Sequence, residues 1–345
     1  MSTPHEASLP VVALTLGDPA GIGPELIARL IAGGAAALAN VVIVGDRWLW
    51  NEGQRLAGAT CKTTDIGSFA EVRARPDVGT PAFLAVDTVR AVDVRCGRAD
   101  AAGGASVLQI LDACMDAAVL RAVDAICFAP LNKQAMKMGG LKHEDELHHF
   151  VERLGVTDYF CEFNTLGDLW TARVSSHIPL KDAAAYLTQE RIVDATRLIH
   201  GALRANGLAN PRVALAAFNP HGGDGGTCGR EEIDIIVPAA RALCASGLAV
   251  DGPFPADTIF LKARDGAYDA IVTMYHDQGQ IAIKLLGFSR GVTVQGGLPV
   301  PITTPAHGTA YDIAGRGVAD VGAMASAFDI ACRMGRAYRA APHLP

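Results

Sequence analysis

Tyr268-Asp-Ala-Ile-Val-Thr-Met-Tyr-His-Asp-Gln-Gly279 is the stretch whose reading decides the fold. Its first part is a short apolar run that reads as a buried strand, and its second places His276 and Asp277 at that strand's carboxyl end, where open α/β sheets build their sites. Two more histidines stand in matching places. His177 closes the run Ala172-Arg-Val-Ser-Ser176, and His221 follows Val213-Ala-Leu-Ala-Ala-Phe218 through an Asn-Pro turn. Three imidazoles that each follow a short β-like segment suggest one shared site. A packed core histidine is the plainer account of any one of them. Taken together they suit zinc or another borderline divalent ion and leave coordination positions open for substrate, the mark of a catalytic site. His5, His200 and His343 have no such context and read as surface or helix residues.

Working outward, Pro10 to Leu16 reads as a strand running into Gly17-Asp-Pro-Ala-Gly-Ile-Gly-Pro-Glu25, with Pro24 opening a helix to about Ala35. The glycines follow neither the dinucleotide nor the Walker spacing, so a plain βα turn accounts for them. Val41–Val44, Ala82–Val86 and Ala125–Phe128 read as further strands, and 105–122 as a helix. This βαβα rhythm predicts a largely parallel sheet. Thr188 caps a helix to about Ala205, and the helix from Glu231 to Ser246 bends near Pro238. Asp145 and Glu146 read as a solvated, acidic helix start. His143 does not begin a zinc-protease helix, because the fourth residue after it is Leu147. No linker or repeat divides the chain, which predicts a second domain inserted in the first. The expected division is 1–133 plus 296–345 on the cofactor side, and 134–295 for metal, substrate and dimerisation.

The chain has 345 residues, half of them apolar, and a net charge of -6. That is enough for two domains and argues against a non-specific nucleic-acid binder. The N-terminus lacks the charged and apolar pattern of a signal peptide, and no run reads as a membrane span, so a cytoplasmic protein is expected. Eight scattered cysteines without a Cys-x-x-Cys pair read mostly as buried small hydrophobes.

Over nearly its whole length the sequence resembles the 4-hydroxythreonine-4-phosphate dehydrogenase family of pyridoxal phosphate biosynthesis. The motifs that carry the resemblance are Leu16 to Glu25, Asn219-Pro-His-Gly-Gly-Asp-Gly-Gly226, Gly252-Pro-x-Pro-Ala-Asp-Thr258, Met274 to Gly279 and His307-Gly-Thr-Ala310. The last is also similar to a loop of isocitrate and isopropylmalate dehydrogenases. The resemblance implies their fold: two α/β domains with largely parallel sheets and an active site in the interdomain cleft at a dimer interface. It implies that His177, His221 and His276 bind one divalent metal between two subunits of a homodimer. Zinc is the first candidate, with iron, cobalt, manganese or magnesium as others. It further implies NAD- or NADP-linked oxidation of a secondary alcohol β to a carboxylate, followed by loss of carbon dioxide. Lys284 and Asp257 would be catalytic, with Lys284 also meeting the substrate's anionic end. His307, Gly308 and Thr309 would hold the cofactor, and His143 the substrate.

Three positions depart from the family. Glu144 replaces a threonine, Thr293 an asparagine and Ile302 an arginine, all counted as substrate-binding positions. Loss of a buried arginine contact to phosphate is worth about 1.5 to 3 kcal/mol. On that ground the expected substrate is the cis-dihydrodiol of terephthalate, oxidised and decarboxylated to protocatechuate. The alternative is 4-hydroxythreonine 4-phosphate or a related phosphorylated four-carbon hydroxy acid. A metal-dependent hydrolase is the reading from another class, but it gives the His307 loop no role.

Overall fold

Val11–Thr15 (β1) is buried at every position, as a parallel strand covered on both faces must be. The computed structural model describes residues 9–73, 79–287 and 290–341, so His5 and His343 lie outside the described residues. The chain divides into two compact units at 156/157 and 297/298.

In the first unit β1 is followed by Gly23–Ala32 (α1), Asn40–Gly45 (β2), Arg47–Ala57 (α2), Thr64–Ile66 (β3), Ala70–Arg73 (α3), Ala82–Ala85 (β4), Ala101–Val119 (α4), Ala125–Phe128 (β5), Lys133–Met138 (α5) and Glu146–Arg153 (α6). The second unit holds Cys161–Leu166 (β6), Leu169–Arg173 (β7), Ala183–Tyr186 (α7), Gln189–Ala205 (α8), Arg212–Ala216 (β8), Val237–Ala245 (α9), Ala249–Phe254 (β9), Ala256–Arg264 (α10), Ala270–Thr273 (β10), His276–Gly287 (α11) and Val292–Gly296 (β11). The chain then returns to the first unit with Ile302–Pro305 (β12) and Gly322–Ala340 (α12).

The strands of the first unit lie in the order β3-β4-β2-β1-β5-β12, every pair parallel. Those of the second lie in the order β11-β6-β7-β10-β8-β9. There β11 pairs antiparallel with β6, and β6 with β7, the latter because a two-residue turn with Gly167 at φ 57° folds β7 straight back on β6. From β7 onward the pairing is parallel. This mixed but mostly parallel α/β architecture is the predicted class.

The boundary falls at 156/157, not at 133/134. The reason is packing: a Cβ on Gly104 of α4 would stand 1.8 Å from the Ala135 carbonyl oxygen of α5. His149 of α6 also meets Asp112 of α4 at 2.8 Å, so both helices stay with the first unit. α4 is, among the described residues, the helix long and apolar enough to cross a membrane by length and composition alone. Its Ile110, Leu111, Cys114 and Met115 lie instead in the core of the unit.

Local signals recur in the structure with their chemistry. Thr188 accepts from the Arg191 N–H at the start of α8. Before Pro238, which has no N–H to continue the ladder, residues Glu232–Ile236 widen into a π turn. Asp145 does start α6, yet it is buried, not solvated: its carboxylate accepts from the His148 backbone N–H and sits 2.7 Å from the ring nitrogen. Those contacts hold it below its ordinary value against the opposing pull of burial. Of the eight cysteines only Cys114, Cys127, Cys161 and Cys332 are buried, and burial pushes their thiols up to about 12.

Candidate active site

Strand β10 pairs in parallel with β7 on one side and β8 on the other. Three adjacent strands therefore end at one edge of the second unit, and each leads into one of the three histidines. Beyond the strands, Val174 N–H donates to Thr273 O and Ser175 N–H to Met274 O, which carries the pairing up to the histidine loops. The rings of His177 and His276 come to 5.7 Å between centroids. They line a cavity of about 260 Å³ together with Ser175, Ser176, Tyr275 and Asp277. His276 Nδ1 is 2.7 Å from Asp277 Oδ1. That contact favours the Nδ1–H tautomer and leaves Nε2 as the lone-pair nitrogen, the arrangement typical of a metal-ligating histidine.

His221 sits apart. It is exposed and opens a run of five left-handed residues, His221 to Gly225, in which His221 (φ 54°) and Asp224 (φ 45°) are not glycine. Conformers of that kind are held only where the surroundings over-determine them. Here the buried Glu232 does so: its carboxylate accepts from Phe218 N–H (2.8 Å), Asn219 N–H (2.7 Å) and Asn219 Nδ2 (3.0 Å). Gln278 links this region to the His276 loop, accepting from Met274 N–H and donating to Ala217 O. Within one chain the ligand atoms of the three histidines do not all come within 4.8 Å of one another.

Lys284 lies eight residues after His276, on the same face of α11, and is exposed. Asp257 is exposed in the first turn of α10. Thr293 is an interior residue of β11 whose hydroxyl accepts from Asn164 Nδ2 at 3.2 Å. Ile302 must be corrected: it is fully buried in the apolar core of the first unit, paired in register with Ile126, and presents no surface to a ligand. His143 is engaged by Glu152 and its carbonyl by Lys137, while Glu144 is exposed beside it.

In the first unit the His307 loop closes on the glycine-rich turn. Ile22 N–H donates to Thr309 O, and a Cβ on Gly21 would lie 2.9 Å from the Thr309 Cβ, so only glycine fits. His307 Nδ1 is 3.0 Å from Gly308 O, and Thr309 is buried. Beneath the loop Tyr311 donates to the buried Asp18 at 2.6 Å. Burial pushes the Asp18 carboxyl above its ordinary value, against the pull of Tyr311 and the Ala20 N–H, and Asp100 adds to the rise. Burial and Asp18 together push the Tyr311 phenol up. Sequence reasoning passed over Asp18 and Tyr311. The signal was present, since Asp18 stands inside the first quoted motif and Tyr311 directly follows the last, but nothing local shows that residues 293 apart meet.

Comparison with known proteins places the chain. A sequence model described as "Pyridoxal phosphate biosynthetic protein PdxA" matches residues 37–331. A Pseudomonas aeruginosa protein, provisionally named 4-hydroxythreonine-4-phosphate dehydrogenase 2, is 52% identical over 332 residues, covering 95% of this chain and 98% of its own. The crystal structure of 4-hydroxythreonine-4-phosphate dehydrogenase from Klebsiella pneumoniae superposes with a TM-score of 0.80 at 35% identity, covering 96% of this chain and all of the other. A terephthalate 1,2-cis-dihydrodiol dehydrogenase from Burkholderia xenovorans reaches only 0.64 at 30% identity, over 90% of this chain and 94% of the other. With the strand-end histidines and the His307 loop, these likenesses define an NAD-dependent dehydrogenase that acts on a hydroxyl group. More particularly, the chain belongs to the PdxA family, whose members use NAD(P) and a divalent metal. The expected dihydrodiol substrate is thereby overturned: the greater likeness is to the 4-hydroxythreonine-4-phosphate enzymes. The inference from Ile302 fails for a structural reason as well, since that side chain faces a core and not a ligand.

Proposed function

We propose that the chain oxidises the secondary alcohol of 4-hydroxythreonine 4-phosphate, or of a closely related phosphorylated four-carbon hydroxy acid, and that the β-keto acid so formed loses carbon dioxide. The observation that carries this reading is the pair His177 and His276 at the ends of adjacent parallel strands, with Lys284 on the helix that His276 begins. In the oxidation the carbinol carbon gives up a hydride and its hydroxyl a proton. A divalent ion, zinc first, would supply Lewis-acid polarisation, and NAD or NADP would accept the hydride.

The donor set fits a metal of that kind. Two imidazoles converge, one of them fixed by a carboxylate, and His221 stands at the same sheet edge where a second subunit can complete the set. That last point supports a homodimer with shared sites. Lys284 holds the anionic end of the substrate or passes it a proton, and Asp257 and His143 contribute polar contacts to it. Glu144 and Thr293 replace residues that meet phosphate in the family, so the phosphate must draw on the remaining cations. The His307-Gly308-Thr309 loop receives the cofactor.

The test follows reduction of NAD by metal-loaded protein offered 4-hydroxythreonine 4-phosphate, by the absorbance of the reduced nicotinamide. Turnover that His177→Ala and His276→Ala abolish, and for which Lys284→Met raises KM, is the expected result. No turnover with NAD or NADP, at any metal loading, rejects the reading.

A further inference from the structure

We propose that Arg173 is the positioning residue of the histidine pair, bracing the His177 loop and the His276 helix from one guanidinium. The proposal rests on the reading of that pair as a metal site. Arg173 ends β7 and is 5% exposed. Three of its edges are taken by three different partners. Nη2 donates to Glu162 Oε2 at 2.6 Å, Nη1 to Asn164 Oδ1 at 2.7 Å, and Nε to Ser176 Oγ at 3.0 Å.

Each contact leads to the site. Ser176 immediately precedes His177, so the Nε contact fixes the loop that carries the first imidazole. Asn164 Oδ1 also accepts from Gln280 Nε2. Gln280 lies four residues after His276 and four before Lys284, on the helical face both share. The Asn164 amide then donates to Thr293 on β11. One buried cation thus orients a loop directly and a helix through a single shared oxygen, while Glu162 balances its charge.

Only a planar fork can do this. Lysine could keep the charge beside Glu162, but a point donor on a flexible stem cannot hold three partners in one plane. A mere stabilising role is separable, because a buried ion pair replaced on both sides by apolar residues is often neutral for stability. The brace would then be lost while the fold remains.

The experiment measures zinc affinity of the intact protein by competition with a chromophoric chelator, with melting temperature recorded alongside. The variants are Arg173→Lys, Gln280→Leu, their double, the charge-free pair Arg173→Met with Glu162→Met, and His177→Ala. Loss of a group that orients a metal ligand weakens affinity by about 10- to 100-fold. Arg173→Lys and the charge-free pair are expected to fall in that range, with the double variant no weaker than Arg173→Lys alone, since Gln280 acts only through the Asn164 oxygen that Arg173 orients. Wild-type affinity in Arg173→Lys overturns the proposal. So does a loss that merely tracks melting temperature, an additive double variant, or zinc binding that His177→Ala leaves intact. Absence of turnover in the wild type with a normal zinc series would reject the substrate reading alone.

Discussion

Removing the Glu232 carboxylate should loosen the His221 loop. Glu232 is buried and receives three N–H donors, two of them from the backbone at Phe218 and Asn219. A hydrogen bond to a charged group contributes about 1.5 to 3 kcal/mol net, and an orphaned buried donor costs a similar amount. The donors at Asn219 are only part-buried and can recover water, so Glu232→Ala is expected to cost about 3 kcal/mol in all. Glu232→Gln keeps one acceptor oxygen but turns an NH2 toward Asn219 Nδ2, and should cost about 1 to 1.5 kcal/mol. The loop also stores left-handed strain at His221 and Asp224, of order 1 kcal/mol each, which relaxes once the brace is gone. Urea unfolding gives the stability change. Hydrogen exchange over residues 218–228 gives the local one, because Gly222, Thr227 and Cys228 N–H groups are bonded inside the loop. An unchanged midpoint together with unchanged exchange in Glu232→Ala would refute the argument.

Three further outcomes are expected. Gly104→Ala drives a methyl into the Ala135 carbonyl of α5 and should destabilise by about 3 kcal/mol or more, read as a fall in melting temperature; a neutral result would mean α5 is free to shift. Ile302→Ala should cost about 2 to 4 kcal/mol and leave KM for the phosphorylated substrate unchanged, so a selective rise in KM would return Ile302 to the substrate pocket. The third concerns pH. The folded Asp18 carboxyl binds its proton more tightly than the ordinary value of 3.8, so its contribution to stability is present below that value and is lost as pH rises through the raised one. Asp18→Asn removes the dependence. Its melting temperature relative to wild type should therefore climb as pH rises above the ordinary carboxyl value of 3.8, and a gap that stays flat or narrows would count against the burial argument.

Much of the site was legible because its signals are local. Strand ends, an Asn-Pro turn, a Thr cap and a proline that forces a wider helical turn are written within a few residues of one another. The histidine ends of β7, β8 and β10 could be read for the same reason. What misled was treating a substitution as if its position faced the ligand. Ile302 stands where the family has arginine, but its own apolar character, inside a run of strand-forming residues, was already a sign of burial. The Thr293 hydroxyl likewise accepts from the Asn164 amide within the sheet.

By itself the sequence determined the α/β class, the strands that end in histidine and the family, because each rests on short-range periodicity, turn chemistry or a contiguous motif. Only the tertiary structure decided which side chains meet. Arg173 reaches Glu162 and Asn164 on the neighbouring strand and, through Asn164, a helix, Tyr311 reaches Asp18 across nearly the whole chain, and Ile302 turns inward. Those meetings depend on strand order and register, which long-range packing sets and no local stretch of residues encodes.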